Sequence, residues 1–165
     1  MRILAICGSL QACSANHTLL QTAVAVAPAG VDVVIYEGLR SLPHFNLDLE
    51  AKAPLPEVEA WRLALRESAA LLIASPEYGF SLPGALKNGI DWVIGSAELE
   101  RKIVGVTASV NHVERGRRGL AALCDTLAAV SAVIVGREPI VRGPTFESEV
   151  AKLLRALVAA TGTRD

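Results

Sequence analysis

The sequence predicts an α/β domain in which a parallel sheet carries helices on both faces. Three observations carry this. Short apolar runs recur along the chain: Arg2–Cys7 (RILAIC), Val31–Tyr36 (VDVVIY), Ala69–Ser75 (AALLIAS), Lys102–Ser109 (KIVGVTAS) and Ser131–Val135 (SAVIV). Between them lie stretches whose apolar residues fall at spacings of three and four, the helical period. The runs are nearly continuous rather than alternating, as suits strands buried on both faces.

The elements follow in order. Arg2–Cys7 stops at Gly8, and Asn16 to Ala27 reads as a helix ended by Pro28 and Gly30. Val31–Tyr36 is β-branched and strand-like. Gly38 to Pro56, with Pro43, Pro54 and Pro56, is expected to be the least regular part of the chain. Glu57 to Glu67 forms a helix whose Val58, Trp61, Leu63 and Leu65 supply its apolar side. After the third strand, Pro83 and Gly84 open a helix running to about Gly95; proline in the first turn lacks only an N–H that has no intrahelical partner. Gly116 to about Val130, with Leu120, Leu123, Leu127 and Val130, and Phe146 to Ala160, with Val150, Leu153, Leu154 and Leu157, complete the helices.

Parallel neighbours require crossover connections, and these are right-handed. Of the two common strand orders, the flavodoxin-like 2-1-3-4-5 suits five strands in a chain of this length and gives a three-layer sandwich. Ligands in such sheets bind beyond the carboxyl ends of the strands, near the switch point. The chemistry is therefore sought in the loops after strands one, three and four.

Composition bounds the rest. With 165 residues, 52% of them hydrophobic and 20% charged, and a formal net charge of −1, the chain is expected to form one domain over residues 1–165. It is too apolar for a disordered protein and too evenly charged for a nucleic-acid binder. After Arg2 no residue is formally charged until Asp32, which invites a membrane or export reading. A span needs about 20 apolar residues, and Gly8, Ser9, Gln11, Ser14, Asn16 and His17 interrupt this stretch. A secretory signal needs an apolar region of about 7–15 residues, whereas Ile3–Cys7 is shorter and only loosely followed by a lipoprotein-like box at Leu10–Cys13. A cytoplasmic protein that does not span a membrane is expected.

Cys7, Cys13 and Cys124 form no CxxC pair, and His17, His44 and His112 have no ligand spacing, so no metal site is expected. A phosphatase-type C-x5-R loop also fails: counting from Cys7 reaches Cys13, and counting from Cys13 reaches Leu19. Cys7 reads as a small core residue.

The loop after strand one, Gly8 to Asn16, carries two serines, an asparagine and no charge. Backbone N–H groups at a helix N-terminus, completed by hydroxyls, hold phosphate. Neither a P-loop nor a G-x-G-x-x-G fingerprint is present. Ser14 or Asn16 as a plain helix cap accounts for the loop equally well.

The loop after strand three joins a rigid proline turn, the aromatic Tyr78 and a Pro-Gly helix start. Tyr78 and the neighbouring backbone offer a flat wall to a planar ring. G-S-L-x-x-x-S-x-N at residues 8–16 and S-P-E-Y-x-x-S-x-P-G-x-L-K-N-x-I-D-W at residues 75–92 together resemble the NADPH-dependent FMN reductase family. This flavodoxin-like group includes quinone, azo-compound and chromate reductases. The resemblance implies that Ser9, Gln11, Ser14, Ala15 and Asn16 surround the FMN phosphate. It places Pro76, Glu77, Tyr78, Gly79 and Ser81 along the isoalloxazine ring, with Ser109 and Gly116 approaching from the loop after strand four. Lys87, Asn88, Asp91 and Trp92 match a helix that supports the site and the subunit interface; burial or a dimer contact explains Trp92 and Ile90 better than contact with a ligand. Lys87 and Asp91, four residues apart, are expected to pair, a contact worth about 0.3–0.5 kcal/mol.

The chain departs from the family pattern in two places: Gln11 stands where relatives commonly have arginine, and Gly79 where they have asparagine. The loop after strand four is more charged than in relatives, keeping only Gly116 and Gly119. Its Arg115, Arg117 and Arg118 suit the 2′-phosphate of NADPH, although a solvated charge cluster is the favoured reading; Asn111 or His112 is an alternative lining for the acceptor pocket. The resemblance implies a homodimer or homotetramer that binds FMN and takes hydride from NADPH (or NADH) at flavin N5. It then reduces a small-molecule acceptor, a quinone, flavin, azo compound or oxyanion, by ping-pong kinetics and with no catalytic acid or base. The alternatives are a flavin-binding electron carrier or redox sensor without turnover of its own, and a fold relative that has lost FMN.

Overall fold

The computed structural model describes residues 1–51 and 54–162. The elements in chain order are β1 (Arg2–Cys7), α1 (Ala15–Ala25), β2 (Asp32–Tyr36), a 3₁₀ turn (Gly38–Ser41), α2 (Leu47–Glu50), α3 (Pro56–Arg66), β3 (Ala70–Ala74), α4 (Gly84–Asp91), β4 (Ile103–Thr107), β5 (Ser109–Val110), α5 (Arg117–Ala129), β6 (Val133–Ile134), β7 (Ile140–Val141) and α6 (Phe146–Gly162). The main sheet has the order β2-β1-β3-β4-β6, parallel throughout. This is the predicted 2-1-3-4-5 arrangement, with β6 as its fifth strand.

Successive residues of a strand face opposite ways, and the core divides accordingly. Leu4, Ile6, Leu71, Ile73, Val104 and Val106 meet Trp61 of α3, Leu86 and Ile90 of α4, and Leu123 and Leu127 of α5. On the other face Ile3, Ala5, Leu72 and Ala74 meet Leu19 and Leu20 of α1 and Val150, Leu154 and Leu157 of α6. Cys7 belongs to this second cluster, as the sequence predicts.

The structure corrects several boundaries. Strand five shrinks from Ser131–Val135 to Val133–Ile134 because Ser131 turns in the left-handed region at φ 58. Just past β4 the chain forms the unpredicted pair β5–β7, held by Ile140 N–H to Ala108 O at 2.8 Å and Arg142 N–H to Val110 O at 2.9 Å. The connection expected to be irregular contains the 3₁₀ turn and α2. Buried Leu39 anchors the first, and Asn46 caps the second by accepting from Asp48 N–H at 2.9 Å. Lys52 and Ala53 of that connection, and residues 163–165, lie outside the described residues. The fourth helix ends at Asp91 rather than near Gly95.

The K-N-x-I-D-W stretch is chiefly structural. Asn88 donates to Pro43 O at 2.9 Å and accepts from Phe45 N–H at 2.8 Å. The indole N–H of Trp92 donates to Pro43 O at 2.7 Å, and its ring meets Phe45 edge-on at 5.1 Å. Trp92 and Ile90 are both 1% exposed, so burial is their role. Lys87 pairs with Asp91 at 2.5 Å, as the spacing predicts.

Helix α5 opens without a side-chain cap of its own, because its N-cap is Gly116 at φ 83. The cap comes from another loop: Glu77 Oε2 accepts from Gly119 N–H at 2.9 Å. The approach is close enough that a Cβ on Gly119 would lie 2.9 Å from Glu77 Cα. Alanine in a helix interior gains about 1 kcal/mol over glycine, but overpacking against backbone costs about 1–3 kcal/mol. Gly119→Ala is therefore expected to lower stability by about 1 kcal/mol, read as a reduced urea midpoint with an unchanged m-value.

Burial raises the thiol pKa of both Cys7 and Cys124, while Cys13 is exposed. Since the thiolate is the nucleophile, a maleimide at neutral pH is expected to label Cys13 alone in the folded protein. Peptide mapping checks this, with Cys7 and Cys124 labelled only after unfolding.

Candidate functional site

Strands β1, β3 and β4 lie side by side, so the three loops singled out by the sequence leave the same edge of the sheet. Side chains tie them together. Ser9 Oγ in loop one lies 3.4 Å from the Tyr78 hydroxyl in loop three and also accepts from Gln11 N–H at 3.2 Å. Asn16, 5% exposed, accepts from Ser109 N–H at 2.8 Å and so joins the start of α1 to loop four. The Glu77–Gly119 bond joins loop three to α5.

Loop one is a helix cap and a donor surface together. Ser14 Oγ accepts from Asn16 N–H at 3.2 Å and is the N-cap of α1, which leaves its own proton free to donate. The N–H groups of Ala12, Cys13 and Ala15 have no acceptor among the described residues. Ser109 Oγ is buried without a partner. This donor set is neutral and sits at a helix N-terminus, where the partial positive charge favours an oxyanion. The residues present fit a phosphate group.

Loop three closes on itself as a two-residue hairpin. Tyr78 N–H donates to Ser81 O, and Ser81 N–H to Tyr78 O, each at 3.0 Å. Gly79 at φ 57 and Phe80 at φ 62 occupy the centre, the type I′ pattern that needs φ above zero at both positions. Glycine adopts that region readily, whereas phenylalanine there is strained. The Arg118 guanidinium sits 4.4 Å from the Phe80 ring centroid. Tyr78 is 53% exposed and Phe80 65%, so the hairpin presents two aromatic surfaces to solvent. Pro76, Glu77 and Ser81 are half-buried behind it.

Loop four is only partly what the sequence predicts. Gly116 is buried, and a Cβ there would lie 3.2 Å from Ala108 Cβ. Of the three arginines, Arg118 covers Phe80, and Arg117 pairs with Glu138 at 3.3 Å and more loosely with Glu114 at 3.9 Å. The exposed Arg115 has no side-chain partner among the described residues. Asn111 is bonded to Arg142, and His112 accepts from Glu114 N–H at 3.3 Å.

Three contributors escape a reading of motifs. Arg40, from the turn after β2, reaches Leu10 O of loop one at 3.4 Å. It shares a small cavity of about 90 Å³ with Ser9, Gln11, Ala12, His17 and Glu37. The cap role of Glu77 is hidden behind its place in the S-P-E-Y motif, and its only signal is the absence of a capping side chain at Gly116. The aromatic–arginine contact at Phe80 gave no signal at all. Among the described residues no group of histidine, cysteine and carboxylate side chains is arranged to hold a metal ion. No helix among them is long and apolar enough to cross a membrane.

Comparison with known proteins agrees with this geometry. The profile of the family described as NADPH-dependent FMN reductase matches residues 1–144. The chain is 36% identical over 121 residues to the NAD(P)H-dependent FMN reductase PA1204 of Pseudomonas aeruginosa, covering 73% of this chain and 64% of that protein. It is 38% identical over 95 residues to an NAD(P)H:quinone oxidoreductase of Solanum tuberosum, covering 56% of this chain and 49% of that one. The chain thus spans half to two thirds of the length of these relatives. A quinone reductase of Escherichia coli is 28% identical over 146 residues, 87% of this chain and 78% of that protein. Among solved structures, the flavoenzyme NAD(P)H:(acceptor) oxidoreductase FerB of Paracoccus denitrificans superposes with a TM-score of 0.86 at 24% identity, covering 98% of this chain and 97% of that one. That likeness shows the shared fold. With a family profile running through all three loops and the sheet that carries them, the chain belongs to the NADPH-dependent FMN reductase family.

Proposed function

We propose that this protein is an FMN-dependent oxidoreductase that takes hydride from NADPH or NADH and reduces a small-molecule acceptor, a quinone, free flavin, azo compound or oxyanion. The observation that carries this reading is the union of three loops at one sheet edge through Ser9–Tyr78 and Asn16–Ser109. It sets a neutral phosphate cradle beside an exposed aromatic wall, as a phosphorylated planar cofactor requires. When bound, FMN supplies hydride transfer at N5, chemistry that belongs to the cofactor.

The protein binds and orients. Ser9, Gln11, Ser14, Ala15 and Asn16 hold the phosphate through N–H and hydroxyl donors at the start of α1. Pro76, Glu77, Tyr78, Gly79 and Ser81 line the ring, and Ser109 and Gly116 close the opposite side. Buried Ser109 Oγ, without a partner in the chain, is a donor ready for the cofactor. Glu77 is engaged by Gly119 N–H and is not assigned as a general base, so no proton relay is assigned to the site. A single site that serves donor and acceptor in turn gives ping-pong kinetics. The remaining parts of the reading are a homodimer or homotetramer in the cytoplasm, with neither nucleic acid nor membrane as partner.

The test is direct. Protein purified from cells is expected to be yellow, and steady-state assays with NADPH and a quinone are expected to give parallel double-reciprocal lines. Colourless protein that neither binds added FMN nor oxidises NADPH or NADH would falsify the reading. Ser9→Ala is expected to weaken FMN binding while leaving turnover at saturating FMN nearly unchanged, because no proton transfer passes through Ser9. Gln11→Arg replaces a neutral contact with a charge-assisted one, roughly twice as strong. It is expected to tighten FMN binding about tenfold, a change of about 1.4 kcal/mol, measured by flavin fluorescence quenching.

A further inference from the structure

We propose that Arg40 supplies the positive charge that loop one lacks, facing the cofactor phosphate from the β2 side. The proposal rests on the FMN reading above and names a binding residue that lies outside both motifs.

From Ile3 to Val31 the sequence has no lysine, arginine or carboxylate, so loop one meets a phosphate with amides, hydroxyls and a helix end worth about half a charge. A phosphate ester at neutral pH carries about −1.5 to −2. Neutral donors leave most of that charge unbalanced.

Topology delivers a cation from elsewhere. Strand β2 pairs with β1 in register, Ile6 opposite Tyr36, so the residues after Tyr36 emerge beside loop one. The 3₁₀ turn Gly38–Ser41 begins there. Its Leu39 is buried at 5% exposure and anchors the turn, while Arg40 stays at the surface. Arg40 Nη2 donates to Leu10 O at 3.4 Å, which holds the guanidinium against the loop beside Gln11. That long bond uses one of five N–H donors, and the planar fork suits phosphate oxygens.

Arg40 also has no carboxylate partner among the described residues. One carboxylate, Glu37, lines the same cavity. Its side chain is 71% exposed and lies 3.4 Å from His17 Nε2. An arginine held to a phosphate-type loop without a counter-ion is placed to receive an anion.

Riboflavin lacks the phosphate and separates the charge from the ring. Wild type, Arg40→Met, Arg40→Lys and the double variant Gln11→Arg/Arg40→Met are titrated as apoprotein with FMN and with riboflavin, at low and moderate salt. Arg40→Met is expected to weaken FMN about tenfold and to leave riboflavin affinity and the melting temperature unchanged. The salt dependence of FMN binding is expected to flatten in that variant, to persist in Arg40→Lys, and to return with Gln11→Arg. Equal FMN affinity in wild type and Arg40→Met would overturn the proposal, as would equal losses of FMN and riboflavin, which would make Arg40 a brace for the loop. Wild-type protein that binds neither flavin would overturn the reading of the site itself, and this proposal with it.

Discussion

Three parallel strands end level, and the site depends on it. Cys7, Ala74 and Thr107, the last residues of β1, β3 and β4, stand opposite one another across the sheet. Each strand is buried along nearly its whole length, and a slip of one residue would turn every side chain to the wrong face. Register is therefore held by the whole core, and the three loops must leave the sheet at a common height. Gly8 shows how close the fit is: a Cβ there would lie 2.9 Å from Ser75 Oγ and 3.2 Å from Ser75 Cα, at the start of loop three.

Once the loops leave together, polar contacts between them decide the shape of the site. Asn16 bonds Ser109, Ser9 approaches Tyr78, and Glu77 caps α5. Each lies between segments distant in sequence, and each occupies a group that a simpler reading would give to a ligand. Ser14 illustrates the point, because its oxygen accepts the cap bond while its proton remains available. The cap bond uses the oxygen and leaves the proton, so the cap reading and the phosphate reading of this loop are compatible.

The charge pattern has the same character. At the buried positions Ser9, Ser14 and Asn16, neutral side chains avoid burying an ion beside the apolar core, where an unpaired charge is costly. The cations stand one step away, Arg40 on the β2 side and Arg118 over Phe80. Solvent reaches both, and neither needs a buried counter-ion.

The strand runs and the two motifs were legible in the sequence because they rest on local signals, and the strand order followed from crossover rules and chain length. Continuous apolar runs mean burial on both faces, and Pro83–Gly84 opens a helix by backbone geometry alone. Asn88 and Trp92 were visible only as motif members, and their bonds to Pro43 and Phe45 appear only once the chain has folded. Strand five was read too long because Ser131 gives no sign that it turns through positive φ. By itself the sequence determined which segments are buried and which three loops share an edge, since burial and crossover length are properties of local composition. Only the tertiary structure decided which side chains close the site. Glu77 on α5, Asn16 on Ser109 and Arg40 on Leu10 are contacts across 30 to 93 residues of chain, and no local pattern encodes a pairing at that distance.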